Sequence, residues 1–86
     1  MSDYAHSVPV LRLFAQARVA AGTGRAVIAG DTPVAVLEAA SAEFGPSFAA
    51  TLPYCTIWVN GESVAEDFPL TDDDEVAVCP PVSGGN

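Results

Sequence analysis

Glu75-Val76-Ala77-Val78-Cys79-Pro80-Pro81-Val82-Ser83-Gly84-Gly85-Asn86 closes the sequence. Its first five residues alternate as a strand does, with Val76 and Val78 on one face and Glu75, Ala77 and Cys79 on the other. Pro80 and Pro81 then stop the ladder, because neither has an N–H to donate. Two glycines follow, so the stretch reads as a core strand that launches a bare tail. Glycine has no Cβ, and a Gly-Gly segment threads a narrow cleft and leaves its carbonyl open to attack from either face. That geometry suits chemistry on a main-chain carboxylate. Ordinary fraying, which collects small polar residues at chain ends, accounts for the same composition, so the rest of the chain has to decide.

Working outward, Thr71-Asp72-Asp73-Asp74 is an acidic turn without the glycine and spaced glutamate of a calcium loop. Asp67-Phe68-Pro69-Leu70 reads as a connector anchored by Phe68 and Leu70. Residues 55–59 form the clearest strand, and Asn60-Gly61 is a strong hairpin signal that returns the chain as a short edge strand over 62–65. Residues 47–53 read as a less regular connection pinned by Phe48 and Leu52. Thr32-Pro33 is a helix start, a hydroxyl N-cap followed by proline at the first helical position, and Gly45-Pro46 is the stop. Between them Val36, Leu37, Ala40 and Phe44 form a buried stripe, with Glu38, Ser41 and Glu43 facing water. Near the start, residues 8–14 read as a first strand, with apolar residues at Val8 and Val10 and, less strictly, at Leu11, Leu13 and Phe14. A short helical turn over 15–21, capped by Gly22, leads to a second strand over 25–29, antiparallel to the first. This order is α+β: a β-grasp, or ubiquitin-like, mixed sheet with one main helix packed on one face. The expected division is a flexible leader over 1–7, a single domain over 8–80 and a flexible Gly-Gly tail over 81–86.

Eighty-six residues with 50% apolar content make one small packed domain, too small for a deep private catalytic pocket. Three arginines against eleven acidic groups give a net charge of −8, which disfavours nucleic acid and anionic membrane and favours a partner with a basic face. No apolar run approaches the ~20 residues that span a bilayer. Residues 1–7 lack the cationic and apolar regions of an export signal, so the cytoplasm is the expected location. Cys55 and Cys79 form no Cys-x-x-Cys and read as reduced, small hydrophobes in or near the core, with neither zinc nor an iron–sulfur cluster implied. His6, the single histidine, has nothing to hold it in a catalytic pair. Lysine is absent, and the basic residues are Arg12, Arg18 and Arg25. Composition drift explains this as well as function does; the functional reading is that a carrier of an activated carbonyl offers itself no side-chain amine.

Leu13-Phe14-Ala15-x-Ala17-Arg18, Val59-Asn60-Gly61 and Asp74-Glu75-Val76-Ala77 running into Pro80-Pro81-Val82-Ser83-Gly84-Gly85 occur in an order and spacing that resemble the small subunit of molybdopterin synthase. That is the MoaD family of ubiquitin-like sulfur carriers, and the thiazole-forming carriers of the ThiS family have similar endings. The resemblance covers residues 8–85. It implies that a ubiquitin-activating-type enzyme uses ATP to adenylate Gly85, next to Gly84, and that a persulfide sulfur donor replaces AMP to leave a thiocarboxylate. It also implies that the molybdopterin synthase large subunit receives the tail, with Phe14, Arg18, Cys79, Pro80, Pro81, Val82 and Ser83 on the docking surface. No cofactor or metal is bound stably in this scheme.

The chain departs from the family in two places. Family members often carry a larger apolar or aromatic residue where Cys79 stands. They also end at the second glycine, whereas an amide bond to Asn86 blocks the carboxylate here; the expectation is a peptidase that removes Asn86, and an inactive paralogue or an added residue is the alternative. The alternatives are a sulfur carrier for another product, such as thiazole, cysteine or a secondary metabolite, and a ubiquitin-like binding module or tag whose tail is never thiolated.

Overall fold

Strand β5 (Glu75–Cys79) lies at the centre of the sheet, as the burial of Val76 and Val78 requires. The computed structural model describes residues 7–80. On one side β5 pairs in parallel with β1 (Val10–Leu13), and on the other it runs antiparallel to β3 (Thr56–Val59). The outer strands β2 (Arg25–Val27) and β4 (Glu62–Ser63) are antiparallel to β1 and β3, giving the order β2-β1-β5-β3-β4. The parallel pair needs a long crossover, which the intervening helices and β3 supply.

One face of this sheet is covered and the other is open. Leu11, Leu13, Val59, Val76 and Val78 point into a core shared with Val36 and Ala40 of helix α2 (Pro33–Phe44). α2 starts as its sequence dictates, with Thr32 Oγ1 accepting from the Ala35 N–H at 3.2 Å and Pro33 filling the first turn. Helix α1 (Ala15–Ala21) buries Ala17 and ends on Gly22 in the left-handed conformation (φ 79°). The hairpin between β3 and β4 has both central residues at positive φ, Asn60 at 53° and Gly61 at 83°, the requirement of a tight two-residue turn that matches strand twist.

The structure corrects the sequence reading in several places. Residues 46–54 are not an irregular connection but a helix α3 (Pro46–Thr51) followed by a 3₁₀ turn (Leu52–Tyr54). Pro46 opens that helix, and the fully buried Phe48 meets Phe44 edge to face with ring centroids 5.3 Å apart. In β1 the inward residues are Leu11 and Leu13, while Val8 is exposed and Val10 only partly covered. Leu70 anchors the connector before β5, but Phe68 lies at the surface. Among the described residues no helix is long and apolar enough to cross a membrane.

Candidate functional site

The site is built where β5 ends. Its backbone pairing continues one step beyond β1, because the Phe14 N–H donates to the Val78 carbonyl at 3.2 Å. Phe14 therefore sits beside the exit of the chain from the sheet, with Cys79 and Pro80 following Val78. Ala15 then takes a left-handed backbone (φ 53°), an uncommon conformation for a residue with a Cβ, and turns the chain from β1 into α1. The ring of Phe14 remains 44% exposed and so does not join the core.

Around this exit the open sheet face is read from the registers. Arg25 stands opposite Arg12, Arg12 beside Ala77 and Ala77 opposite Trp58; Cys79 is opposite Thr56. Ala77 is small, so the row is low in its middle and bounded by Arg12 and Trp58. Arg12 Nη1 meets Glu75 Oε2 at 3.2 Å along the same face. A cleft of about 330 Å³ opens at the edge of this surface, lined by Arg12, Phe14, Arg18, Thr23, Gly24 and Arg25. The stem of Arg18 lies over Gly24, where an added Cβ would come within 3.2 Å of Arg18 Nε.

The turns that hold β5 in place use polar groups at the opposite end of the strand. Asn60 Oδ1 accepts from the Glu75 N–H at 2.9 Å, and Asn60 Nδ2 donates to Asp74 Oδ1 at 2.8 Å. Asp74 Oδ2 accepts from the Thr71 N–H, also at 2.8 Å. These donors, Asn60 foremost and then the Thr71 N–H, hold the Asp74 carboxyl below the usual carboxylate range. The acidic turn is thus a backbone clamp at Asp74. Cys55 and Cys79 are free thiols, both partly covered. Burial pushes the Cys55 thiol up, partly offset by an interaction with the Thr51 side chain; the thiol itself donates to the Thr51 carbonyl at 3.1 Å.

Of the residues singled out from sequence, the structure gathers Phe14, Cys79 and Pro80 at the exit of β5 and sets Arg18 in the adjoining cleft. Pro81, Val82, Ser83, Gly84, Gly85 and Asn86 lie outside the described residues, as does His6. Sequence reasoning missed Arg12, Thr23, Gly24 and Arg25 as neighbours of Arg18. The signal was present, since every cation of the chain falls within residues 12–25, but only the β1–β2 pairing brings them to one place.

Comparison with known proteins bears on this geometry. The family profile described as the ThiS family matches residues 11–85. No curated protein matches the chain in sequence. Among solved structures, the small archaeal modifier protein 1 from Methanosarcina acetivorans superposes with a TM-score of 0.85 at 25% identity, covering 95% of this chain and 100% of its own. A proposed molybdopterin converting factor subunit 1 from Pyrococcus furiosus gives 0.78 at 26% identity, covering 88% of this chain and 99% of its own. A protein–protein complex of subunits 1 and 2 of molybdopterin-converting factor from Helicobacter pylori contains a chain with a TM-score of 0.68 at 24% identity. It covers 91% of this chain and 99% of that one, and at this identity the likeness speaks for the fold.

Proposed function

Because this chain belongs to the ThiS family, we propose that it is a sulfur carrier of molybdopterin synthesis, holding sulfur as a thiocarboxylate on Gly85 once Asn86 has been removed. The observation that carries the carrier reading is the extent of the family match, which runs through both glycines to Gly85 and leaves out Asn86; the choice of molybdopterin is supported by the likeness to a molybdopterin converting factor subunit 1.

The chemistry follows from the group involved. A terminal carboxylate, with a pKa of about 3.5, is ionised at neutral pH and is a poor electrophile. Adenylation by a ubiquitin-activating-type enzyme spends ATP to convert it into an acyl-adenylate, from which AMP departs when the terminal sulfur of a persulfide attacks the Gly85 carbonyl. A second thiol then takes the bridging sulfur as a disulfide and releases the thiocarboxylate. The carrier supplies the reacting atom and its partners supply the catalysis. From Pro80 to Gly85 an extended chain reaches at most roughly 20 Å, at about 3.3–3.6 Å per residue. That length lets the carbonyl enter the pocket of a large synthase subunit while the domain docks outside through Phe14, Arg18 and Cys79.

The test is genetic. In cells that depend on this chain for molybdopterin, replacing both Gly84 and Gly85 by valine should abolish cofactor supply without unfolding the domain, and undiminished supply would overturn the proposal.

A second reading has a specific observation in its favour. The structures with TM-scores of 0.85 and 0.81 are both of small archaeal modifier protein 1, and an activated carbonyl of this kind is open to attack by a lysine amine as well as by sulfur. With no lysine of its own, this chain would be joined singly to targets rather than built into side-chain-linked polymers. Denaturing purification of a tagged chain separates the two: covalent conjugates of higher mass support a modifier, and free carrier alone supports sulfur delivery.

A further inference from the structure

All three cations of a chain with net charge −8 line the one cleft between α1 and the paired ends of β1 and β2. Chance placement on a small surface does not favour this, and electrostatics opposes it. Arg12 and Arg25 are direct partners in the antiparallel β1–β2 register, where like charges disfavour the pairing. Among the described residues Arg12 has a carboxylate partner in Glu75, while neither Arg18 nor Arg25 has one. The Arg12–Glu75 pair is itself open to solvent, with side chains 43% and 49% exposed, and such pairs are weak and readily exchanged. A local positive field thus persists in the free protein, and an incoming anion would relieve the repulsion.

We propose that this cleft receives carboxylate side chains of the protein that accepts the tail, presented from a partner face that is otherwise neutral or basic. The inference rests on the reading that a partner takes the tail at Gly85. Three observations select this occupant. The cleft is continuous with the tail exit, because Phe14 lines it and is bonded to Val78 at the end of β5. Guanidinium forks suit planar carboxylates, and the cleft offers two of them without a carboxylate partner among the described residues, beside the apolar flank of Phe14. The eleven acidic groups elsewhere repel an extended polyanion at long range, whereas isolated carboxylates within a basic rim match both the cleft and the body. Thr23 keeps the lip in shape: its hydroxyl accepts from the Arg25 N–H at 3.3 Å and donates to the Arg25 carbonyl at 3.0 Å.

The experiment measures binding of the full chain to the adenylating enzyme and to the large synthase subunit of the same organism by calorimetry, at low and high salt. The variants are Arg18→Glu, Arg25→Glu, the double reversal, and Glu43→Arg on the exposed side of α2 as a control; circular dichroism checks that each is folded. The double reversal should weaken binding to at least one partner by about tenfold or more at low ionic strength. That gap should narrow as salt rises, Glu43→Arg should not weaken binding, and arginine in place of the partner carboxylates cross-linked to the cleft should restore it. Equal affinity of wild type and double reversal, or no binding of the wild type to either partner, overturns the proposal. Sulfur loading of the chain ending at Gly85 is followed in parallel. Binding that depends on the cleft without sulfur gain would sink the carrier reading and leave the cleft standing, and sulfur gain with charge-insensitive binding would do the reverse.

Discussion

Single residues at the two ends of β5 decide how firmly the strand is held and where its tail leaves. Asn60 accepts a left-handed backbone and bridges Asp74 to Glu75 with its side chain. Asn60→Ala should therefore lose about 1–3 kcal/mol in urea denaturation, from the unmade bonds and the strained φ. Asp74 carries a pH dependence whose sign follows from its lowered pKa. Its contribution is fully present above the ordinary carboxylate pKa of about 3.9 and is lost as pH falls through the lower folded value. Asp74→Asn should accordingly destabilise the protein at neutral pH, and the gap from wild type should close in acid below the folded pKa. Ala15 stands in the left-handed region beside Phe14, so Ala15→Gly should relieve backbone strain and raise stability by roughly 0.5–1 kcal/mol in thermal melts. The Asn60-Gly61 turn was legible from sequence because its residue types demand positive φ. The strain at Ala15 was not, since alanine is the best helix former and gives no hint of a left-handed start.

At the scale of elements, the start of α2 was readable and the nature of residues 46–54 was not. Thr32 and Pro33 act locally, through a cap and a fixed φ, and local chemistry survives folding unchanged. Residues 46–54 contain two prolines and no full amphipathic turn; their helix is imposed by the burial of Phe48 against Phe44. Phe48→Ala should cost about 3–5 kcal/mol and lower the urea midpoint accordingly. Gly30→Ala should also destabilise, by roughly 1–3 kcal/mol. A Cβ there would lie 2.7 Å from the Val36 backbone nitrogen, which α2 holds in place. The phase of β1 escaped sequence reading for a related reason. Val10, Leu11, Leu13 and Phe14 put apolar residues on both faces, and only docking of the helices selects Leu11 and Leu13 as the inner pair.

Across the whole molecule, the β-grasp order followed from the sequence of strand and helix signals, while the cation cleft needed the β1–β2 and β1–β5 pairings to assemble. In the proposed reaction the domain would supply a docking face, and the reacting group would be the main-chain carbonyl of Gly85, activated by the partner enzymes. The most direct test is the intact mass of the chain ending at Gly85 after incubation with ATP, its adenylating enzyme and a persulfide donor. The account predicts a gain of about 16 Da, sulfur in place of oxygen, that requires both ATP and the persulfide donor. An unchanged mass, with the adenylating enzyme shown to be active on another carrier and the donor charged, would contradict it.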